Sequence, residues 1–507
     1  MRPRLDVGLP RHHKFVTTQS RSTTLLWMSL SIPTPPDRTR QIFCNRTLNL
    51  RAIKAIGYDM DYTLIHYHVD VWEKRAYEHA RERLVQKGWP VAQLHFDGAS
   101  VSRALIIDKE LGNIVKADRF GFVKTAAHGL EMIDFQSLRE LYGRTVVDLR
   151  DSRWEFLNTL FSISVGCLYG QCVKLLDEGK LDVSATPMGY AELYREVQRA
   201  LDLTHIEGQL KAEIINDPTS FVDIDKDLPQ ALIDQRDAGN KLVLITNSEW
   251  HYTEAMMRWV FDPQLPSGMT WRDLFDLVIV QARKPDFFLG TAPAYEVINE
   301  IGDLRPLPPG AKPSEGKAYY GGNAALVEAA LGLQGADILY VGDHIFADVH
   351  ASKRTVRWRT ALVLREVEDD IGAIEKLREH DQRLGALMRE KTVLEERIAM
   401  ARLDLQRKRH GRPGLIEATQ NEVEVEIERL RTLLTTIDSL AGPLAEESAK
   451  LPHPKWGPIM RAGIDKSHIA RQIERYADIY LSRVSNFLWA TPSAYFRSPK
   501  SSLPHDV

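Results

Sequence analysis

Four short apolar runs, scattered widely along the chain, each stop abruptly in polar side chains: Ile53–Asp61 (IKAIGYDMD), Lys241–Ser248 (KLVLITNS), Leu277–Lys284 (LVIVQARK) and Ile338–Asp343 (ILYVGD). Unbroken apolar runs of this length suit parallel strands covered on both faces, and their polar ends then share one carboxyl edge of the sheet. A fifth run, Thr360–Leu364, follows, with helical stretches such as Leu228–Ala238 and Asn323–Leu331 between them. The pattern predicts an α/β fold with a Rossmann-like parallel sheet. The stretch from Asp61 to Thr246 far exceeds the ~10–12 residues of a minimal crossover, so a separate inserted domain is expected there.

Composition excludes several classes. In 507 residues, 66 Lys and Arg face 69 Asp and Glu, a net charge of −3 that offers no basic field for nucleic acid. Hydrophobic residues at 44% and charged ones at 27% fit a folded globular chain. Runs such as Leu242–Ile245 and Leu274–Val280 are far shorter than the ~20 residues that cross a bilayer, so no membrane partner is expected. Three cysteines, Cys44, Cys167 and Cys172, make neither a disulfide framework nor a zinc cluster, which points to a reducing, cytoplasmic setting. Residues 1–40 are basic and Ser-rich; a transit peptide, a disordered tail and a start at Met28 all stay open.

Past the sheet, residues 371–445 turn rich in Glu, Arg, Leu and Lys. Leu377, Leu384, Ile398 and Leu405 keep a seven-residue register, as do Leu387, Leu394 and Ala401; Gly411–Gly414 interrupt, and Val423, Ile427, Leu430, Leu434 and Ile437 resume it. This predicts an antiparallel coiled-coil hairpin without chemistry of its own. Residues 446–507 read as a helical tail on the core, with one amphipathic helix over Ser467–Phe487 and a loosely packed end from Ser493.

The strand ends carry the chemistry. Asp59 and Asp61 put two carboxylates close together beyond a buried strand, a costly arrangement unless a cation or a proton intervenes. Alone, such a pair is ordinary turn or cap chemistry. Together with Thr246, Asn247 and Ser248 as anion donors, Lys284 as a cation, and Asp343 and Asp348 after Gly342, it reads as a metal pocket beside a phosphate cradle. Mg²⁺ prefers oxygen ligands, which Asp59, Asp343, Asp348 and the backbone carbonyl of Asp61 can offer.

In order and content the four segments resemble the motifs of the haloacid dehalogenase (HAD) superfamily. GYDMDYTL, ITNSEWHYT, ARKPDFF and ILYVGDHIFADVHASK are similar to its cytosolic purine (IMP/GMP-selective) 5'-nucleotidase branch. NRTLNLRAIKAIGYDMDYTL, FLNTLF, YYGGN and RYADIYLSRVSNFL extend the likeness from about Arg40 to Asp506, the hairpin excepted. The resemblance implies a HAD core at 41–75 and 220–370, a cap at 76–219, and Mg²⁺-dependent hydrolysis of nucleoside 5'-monophosphates through an aspartyl-phosphate. Asp59 is then the nucleophile, Asp61 the general acid/base, and Lys284 the group that neutralises the transition state. Thr246, Asn247 and Ser248 bind phosphate; Asp343 ligates Mg²⁺, and Asp348 supports the metal or anchors Lys284.

In the cap, Asp202, His205 and Lys211 match substrate contacts of the family, whereas Gln198 and Ile206 replace an arginine and a tyrosine. Arg199 beside Gln198 is a candidate for the missing charge. Leu130 and Glu131 replace a stacking Phe and a base-binding Asn. Family members also bind a nucleotide effector near the segments that here read Ile106–Asp118 and Lys353-Arg354, and form homo-oligomers. Two alternatives stay open: a HAD phosphatase for another phosphorylated metabolite, and a scaffold working through the hairpin.

Overall fold

The computed structural model describes residues 37–181, 188–206, 208–490 and 492–499. The reading of residues 1–40 therefore falls almost wholly outside the described residues. The large sheet has ten strands, numbered here along the chain: β1 (Ile42–Cys44), β2 (Ala55–Tyr58), β3 (Lys241–Ile245), β4 (Leu277–Val280), β5 (Ala294–Val297), β6 (Leu304–Pro306), β7 (Lys317–Gly321), β8 (Ile338–Gly342), β9 (Arg359–Val363) and β10 (Ile479–Leu481). Their spatial order is β1-β10-β9-β8-β2-β3-β4-β7-β5-β6. From β10 to β7 every neighbouring pair is parallel; β1 and the β5–β6 hairpin run antiparallel at the two edges.

This is the α/β architecture read from the four apolar runs. β2 lies between β8 and β3, where the chain reverses its direction of travel across the sheet, and the crevice at such a switch point is the usual ligand site of doubly wound folds. All four residues of β2 are buried. Gly57 is needed there, because a Cβ would lie 2.8 Å from Tyr340 Cδ2 on β8.

The chain leaves and re-enters this layer through a short antiparallel pair, His66–Tyr67 with Val222–Asp223. Between them lies a five-stranded antiparallel sheet in the order Glu131–Met132, Val123–His128, Asn113–Ala117, Ile106–Asp108, Trp154–Phe156. Helices Val69–Gln86, Ile163–Asp177 and Tyr190–Ile206 accompany it. One apolar cluster runs from Tyr58 and Leu244 through Trp72 and Tyr77 to Leu168 and Val197, so inserted and central elements share a core.

Helices Arg378–Arg409 and Gln420–Lys450 form the hairpin, burying Leu394, Ile398, Ala401 and Leu405 against Val423, Ile427, Leu430 and Ile437. Ion pairs Lys391–Asp438 and Arg409–Glu424 fix the antiparallel register. At the turn, the Asp404 carboxylate accepts from the N–H groups of Leu415 and Ile416, and Thr419 with Glu422 makes a capping box.

The expected helix over Ser467–Phe487 is corrected. Helix His468–Tyr476 ends early, Ile479–Leu481 becomes β10, and Val484–Trp489 is a 3₁₀ helix. The cause is tertiary: buried Asp478 accepts from Arg46, Lys353 and Arg359, which pins the backbone in extended form beside β9. The expected loose end is also corrected in part, since Tyr495–Phe496 pairs with Leu48–Asn49; residues 500–507 lie outside the described residues. No helix among the described residues is long and apolar enough to cross a membrane.

Candidate active site

The tips of β2, β3, β4 and β8 converge. Lys284, after β4, places its buried Nζ 2.7 Å from Asp59 Oδ1, 2.8 Å from Asp348 Oδ1 and 3.1 Å from the Tyr340 hydroxyl. Asp59, Asp343 and Asp348 bring carboxylate oxygens within 4.8 Å of one another, all three buried. Three carboxylates against one ammonium leave two negative charges uncompensated in a site of low dielectric, which is unfavourable without a cation. Asp343 Oδ2 is buried and without a hydrogen-bond partner. The donor set is all oxygen, and it suits a hard divalent ion such as Mg²⁺.

Electrostatics follow from burial. The Asp59 carboxyl is pushed well above the usual range by desolvation, with Lys284 opposing and Asp348 and Asp343 adding to the rise. Asp343 is pushed up to about 7, again by burial first, with Arg103 opposing. Burial alone would lower the Lys284 amine, but Asp348 and Asp59 outweigh it and hold the amine well above its ordinary value.

Local structure aims each group. Asp59 Oδ1 accepts from the Met60 N–H at 2.8 Å as well as from Lys284, leaving Oδ2 for other partners. Thr246 is fully buried; its Oγ1 accepts from the Ser248 N–H at 3.0 Å and keeps its own proton to donate. The backbone of Tyr62, Gln281 and Arg283 beside these tips is left-handed, at φ 53°, 47° and 58°. Non-glycine residues in such regions cost on the order of 1–3 kcal/mol each and concentrate at functional loops. Gly342 is required: a Cβ would lie 2.5 Å from Asp348 Oδ2. Asp348 in turn anchors Lys284 and accepts from the His344 N–H at 3.1 Å.

Several expectations are corrected. The Asp61 carboxylate is not part of the acidic cluster: its Oδ1 accepts from the Tyr67 hydroxyl at 2.6 Å and its Oδ2 from Ser248 Oγ at 2.7 Å. The Asn247 side chain is exposed and clasps the Lys284 backbone, Oδ1 accepting from N–H at 2.7 Å and Nδ2 donating to C=O at 3.3 Å. Asp202 is exposed and accepts from Gln198, one turn back in its own helix. Arg199 pairs with Glu196 and so is no substitute for the missing arginine. The His205 side chain lies outside the described residues.

Lys211 does reach the site, with Nζ 3.2 Å from Ser248 Oγ and 2.7 Å from Glu249 Oε2. Leu130 packs beside Gly170, and Glu131 pairs with Lys174 on the surface. At the expected effector segments, Lys353 is committed to Asp478 at 2.6 Å, and Ile106–Asp108 and Asn113–Ala117 are buried strands; Glu110, between the strands, and Arg354 are exposed.

Sequence reasoning missed Tyr67, Tyr252, Tyr340 and Arg103. Tyr340 sits in β8, all of whose residues are buried, a setting that also marks plain core. Arg103 comes from the inserted segment, is 2% exposed, and donates from Nη2 to the Asp343 carbonyl and from Nε to Asn158 C=O at 2.9 Å. Nothing in its local sequence marks it.

The chain is similar to known proteins. The model of the 5' nucleotidase family matches residues 42–507. A 5'-nucleotidase domain-containing protein of Dictyostelium discoideum is 23% identical over 98% of this chain and 81% of its own length. The Homo sapiens 5'-nucleotidase domain-containing protein 2 is 25% identical over 92% and 85%. Among solved structures, a Pyrococcus β-phosphoglucomutase (10% identity) and Rhodobacter sphaeroides CbbY in complex with phosphate (14%) each cover 61% of this chain and 86% of their own, at TM-scores of 0.23 and 0.21. With its full set of motifs inside the matched residues, the chain belongs to the 5' nucleotidase family and is a phosphoric monoester hydrolase.

Proposed function

We propose that this protein hydrolyses nucleoside 5'-monophosphates in a Mg²⁺-dependent reaction through a phosphoaspartyl intermediate. The observation that carries the reading is the meeting of Asp59, Lys284, Asp343 and Asp348 around one buried point. Asp59, Asp343 and the Asp61 carbonyl would hold the ion, with Asp348 behind them. Bound there, it would offset the two surplus negative charges and the charge of the phosphoryl oxygens.

The chain's own residues then divide the work. The Thr246 hydroxyl, held by the Ser248 N–H, and the Asn247 N–H orient the phosphoryl group. Asp59 Oδ2 attacks phosphorus; the ester P–O bond breaks, its electron pair stays on the leaving oxygen, and that oxygen takes a proton from Asp61. Lys284 offsets the charge gathered on the equatorial oxygens. Water then attacks the phosphoaspartate and gives its proton to Asp61, and cleavage of the Asp59 acyl phosphate releases inorganic phosphate.

A second reading, a phosphatase for another phosphorylated metabolite, is favoured by Leu130 and Glu131, whose side chains pack on Gly170 and pair with Lys174. The test is phosphate release from a panel of purine and pyrimidine monophosphates and sugar phosphates with Mg²⁺, for wild type and Asp59→Asn. Nucleotide turnover that disappears in Asp59→Asn supports the proposal. Equal turnover by the two proteins overturns the catalytic account, and turnover confined to non-nucleotides selects the second reading.

A further inference from the structure

Asp61 is held at both oxygens by hydroxyl groups, and one of these belongs to a buried tyrosine pair. Tyr67, in the short strand leading into the insertion, donates to Asp61 Oδ1 at 2.6 Å. Its oxygen lies 3.0 Å from the Tyr252 hydroxyl, one turn past Ser248. Since the Tyr67 proton points at Asp61, Tyr252 is the donor within the pair. Both rings are fully buried, and Tyr67 is wedged between Trp72 at 4.4 Å and Tyr62 at 5.3 Å. On the other oxygen, Ser248 Oγ donates at 2.7 Å and itself faces Lys211 Nζ at 3.2 Å.

From this we infer that Tyr67, backed by Tyr252, is a positioning residue for the proton transfer made by Asp61. The inference rests on the reading of Asp61 as general acid. A phenol O–H that donates to a carboxylate stabilises the ionised form. When Asp61 gives its proton to the leaving oxygen, negative charge appears on its carboxyl group, and the Tyr67 bond strengthens as that charge grows. Tyr67 keeps its own proton throughout; it fixes the direction of Asp61 and supports the carboxylate that proton transfer leaves behind. Ser248 Oγ alone could not do this, because a hydroxyl rotates about one bond and is shared with Lys211, whereas the phenol is locked by its packing.

The consequence depends on the leaving group. An alkyl alkoxide, such as the 5'-oxygen of a nucleotide, needs the proton; p-nitrophenolate leaves readily without it. kcat/KM reports steps up to the first irreversible one, here formation of the phosphoaspartate, so it isolates this transfer from the later hydrolysis.

The experiment measures kcat/KM of the full chain with Mg²⁺ for a nucleoside monophosphate and for p-nitrophenyl phosphate, in wild type, Tyr67→Phe, Tyr252→Phe and Asp61→Asn. General acid catalysis contributes on the order of 10²–10⁴-fold, so loss of its positioning donor is expected to cost the nucleotide about tenfold or more and the nitrophenyl ester less than about threefold. Tyr252→Phe, which leaves the Asp61 contact in place, is expected to show the same selectivity at smaller size. It also serves as the test should Tyr67→Phe not fold. An equal fall for both substrates, or no fall for either, overturns the inference. If Asp61→Asn itself lowers both substrates equally, the acid role of Asp61 fails instead, and the two failures are told apart.

Discussion

Glu73 offers a stability test independent of catalysis. It lies in helix Val69–Gln86, fully buried, with Oε2 accepting from the Ser164 N–H at 2.7 Å and Oε1 without a partner. Ser164 stands in the first turn of helix Ile163–Asp177, whose free N–H groups favour a carboxylate, yet burial dominates and pushes the Glu73 carboxyl up to about 8. A folded value above the unfolded one means the native state binds the extra proton, so stability is fully present below about 4.5 and is lost as pH rises through about 8. The shift of roughly 3.5 units corresponds to about 5 kcal/mol at the alkaline end.

Glu73→Gln keeps the shape and removes the charge, and its amide can donate to the nearby Ser164 hydroxyl. Leaving a buried amide N–H without a partner would cost about 1–3 kcal/mol, so the net gain at pH 8.5 is expected to be about 2–4 kcal/mol. Unfolding entropy scales with length, and for a chain of this size about 1 kcal/mol shifts the melting temperature by roughly 1 °C. Thermal melts at pH 5 and 8.5 should therefore show Glu73→Gln melting about 2–4 °C above wild type at pH 8.5, with that advantage gone or reversed at pH 5. The same difference at both pH values would refute the assignment of a costly buried charge.

Further outcomes concern the active site. Lys284→Met should lower kcat by at least about 10²-fold, as loss of a single preorganised stabiliser does, in steady-state assays with saturating Mg²⁺. Gly342→Ala should cripple turnover without unfolding the chain, because the new Cβ displaces Asp348 from Lys284; circular dichroism and activity separate the two effects. Arg103→Met should raise the Mg²⁺ concentration for half-maximal activity by about 10–100-fold, since Arg103 holds the Asp343 carbonyl from the inserted segment. Chelation of divalent ions should abolish turnover, and added Mg²⁺ should restore it.

Legibility in the sequence followed range. Each of the four converging tips could be read because an apolar strand that ends in polar residues is a local pattern. The hairpin could be read for the same reason, from a repeat internal to each helix. The strand at Ile479–Leu481 could not: its residues extend an amphipathic pattern, and only long-range contacts, the three cations and the Thr360 N–H on Asp478 among them, hold it in the sheet. Asn247 shows the limit at a single residue. The sequence places it beside the phosphate donors, but the approach of the next loop turns its amide onto the Lys284 backbone.

The sequence by itself determined the α/β class, the four strand ends and the residues they deliver to one edge. Only the tertiary structure decided that Tyr67, Tyr252 and Arg103 attend that edge, and that Asp61 answers to hydroxyl groups instead of joining the acidic cluster. The physical reason is that strand and helix periodicities are properties of a few consecutive residues. A hydrogen bond such as that from Arg103 to the Asp343 carbonyl joins segments brought together by packing, and its geometry exists only once the core has formed.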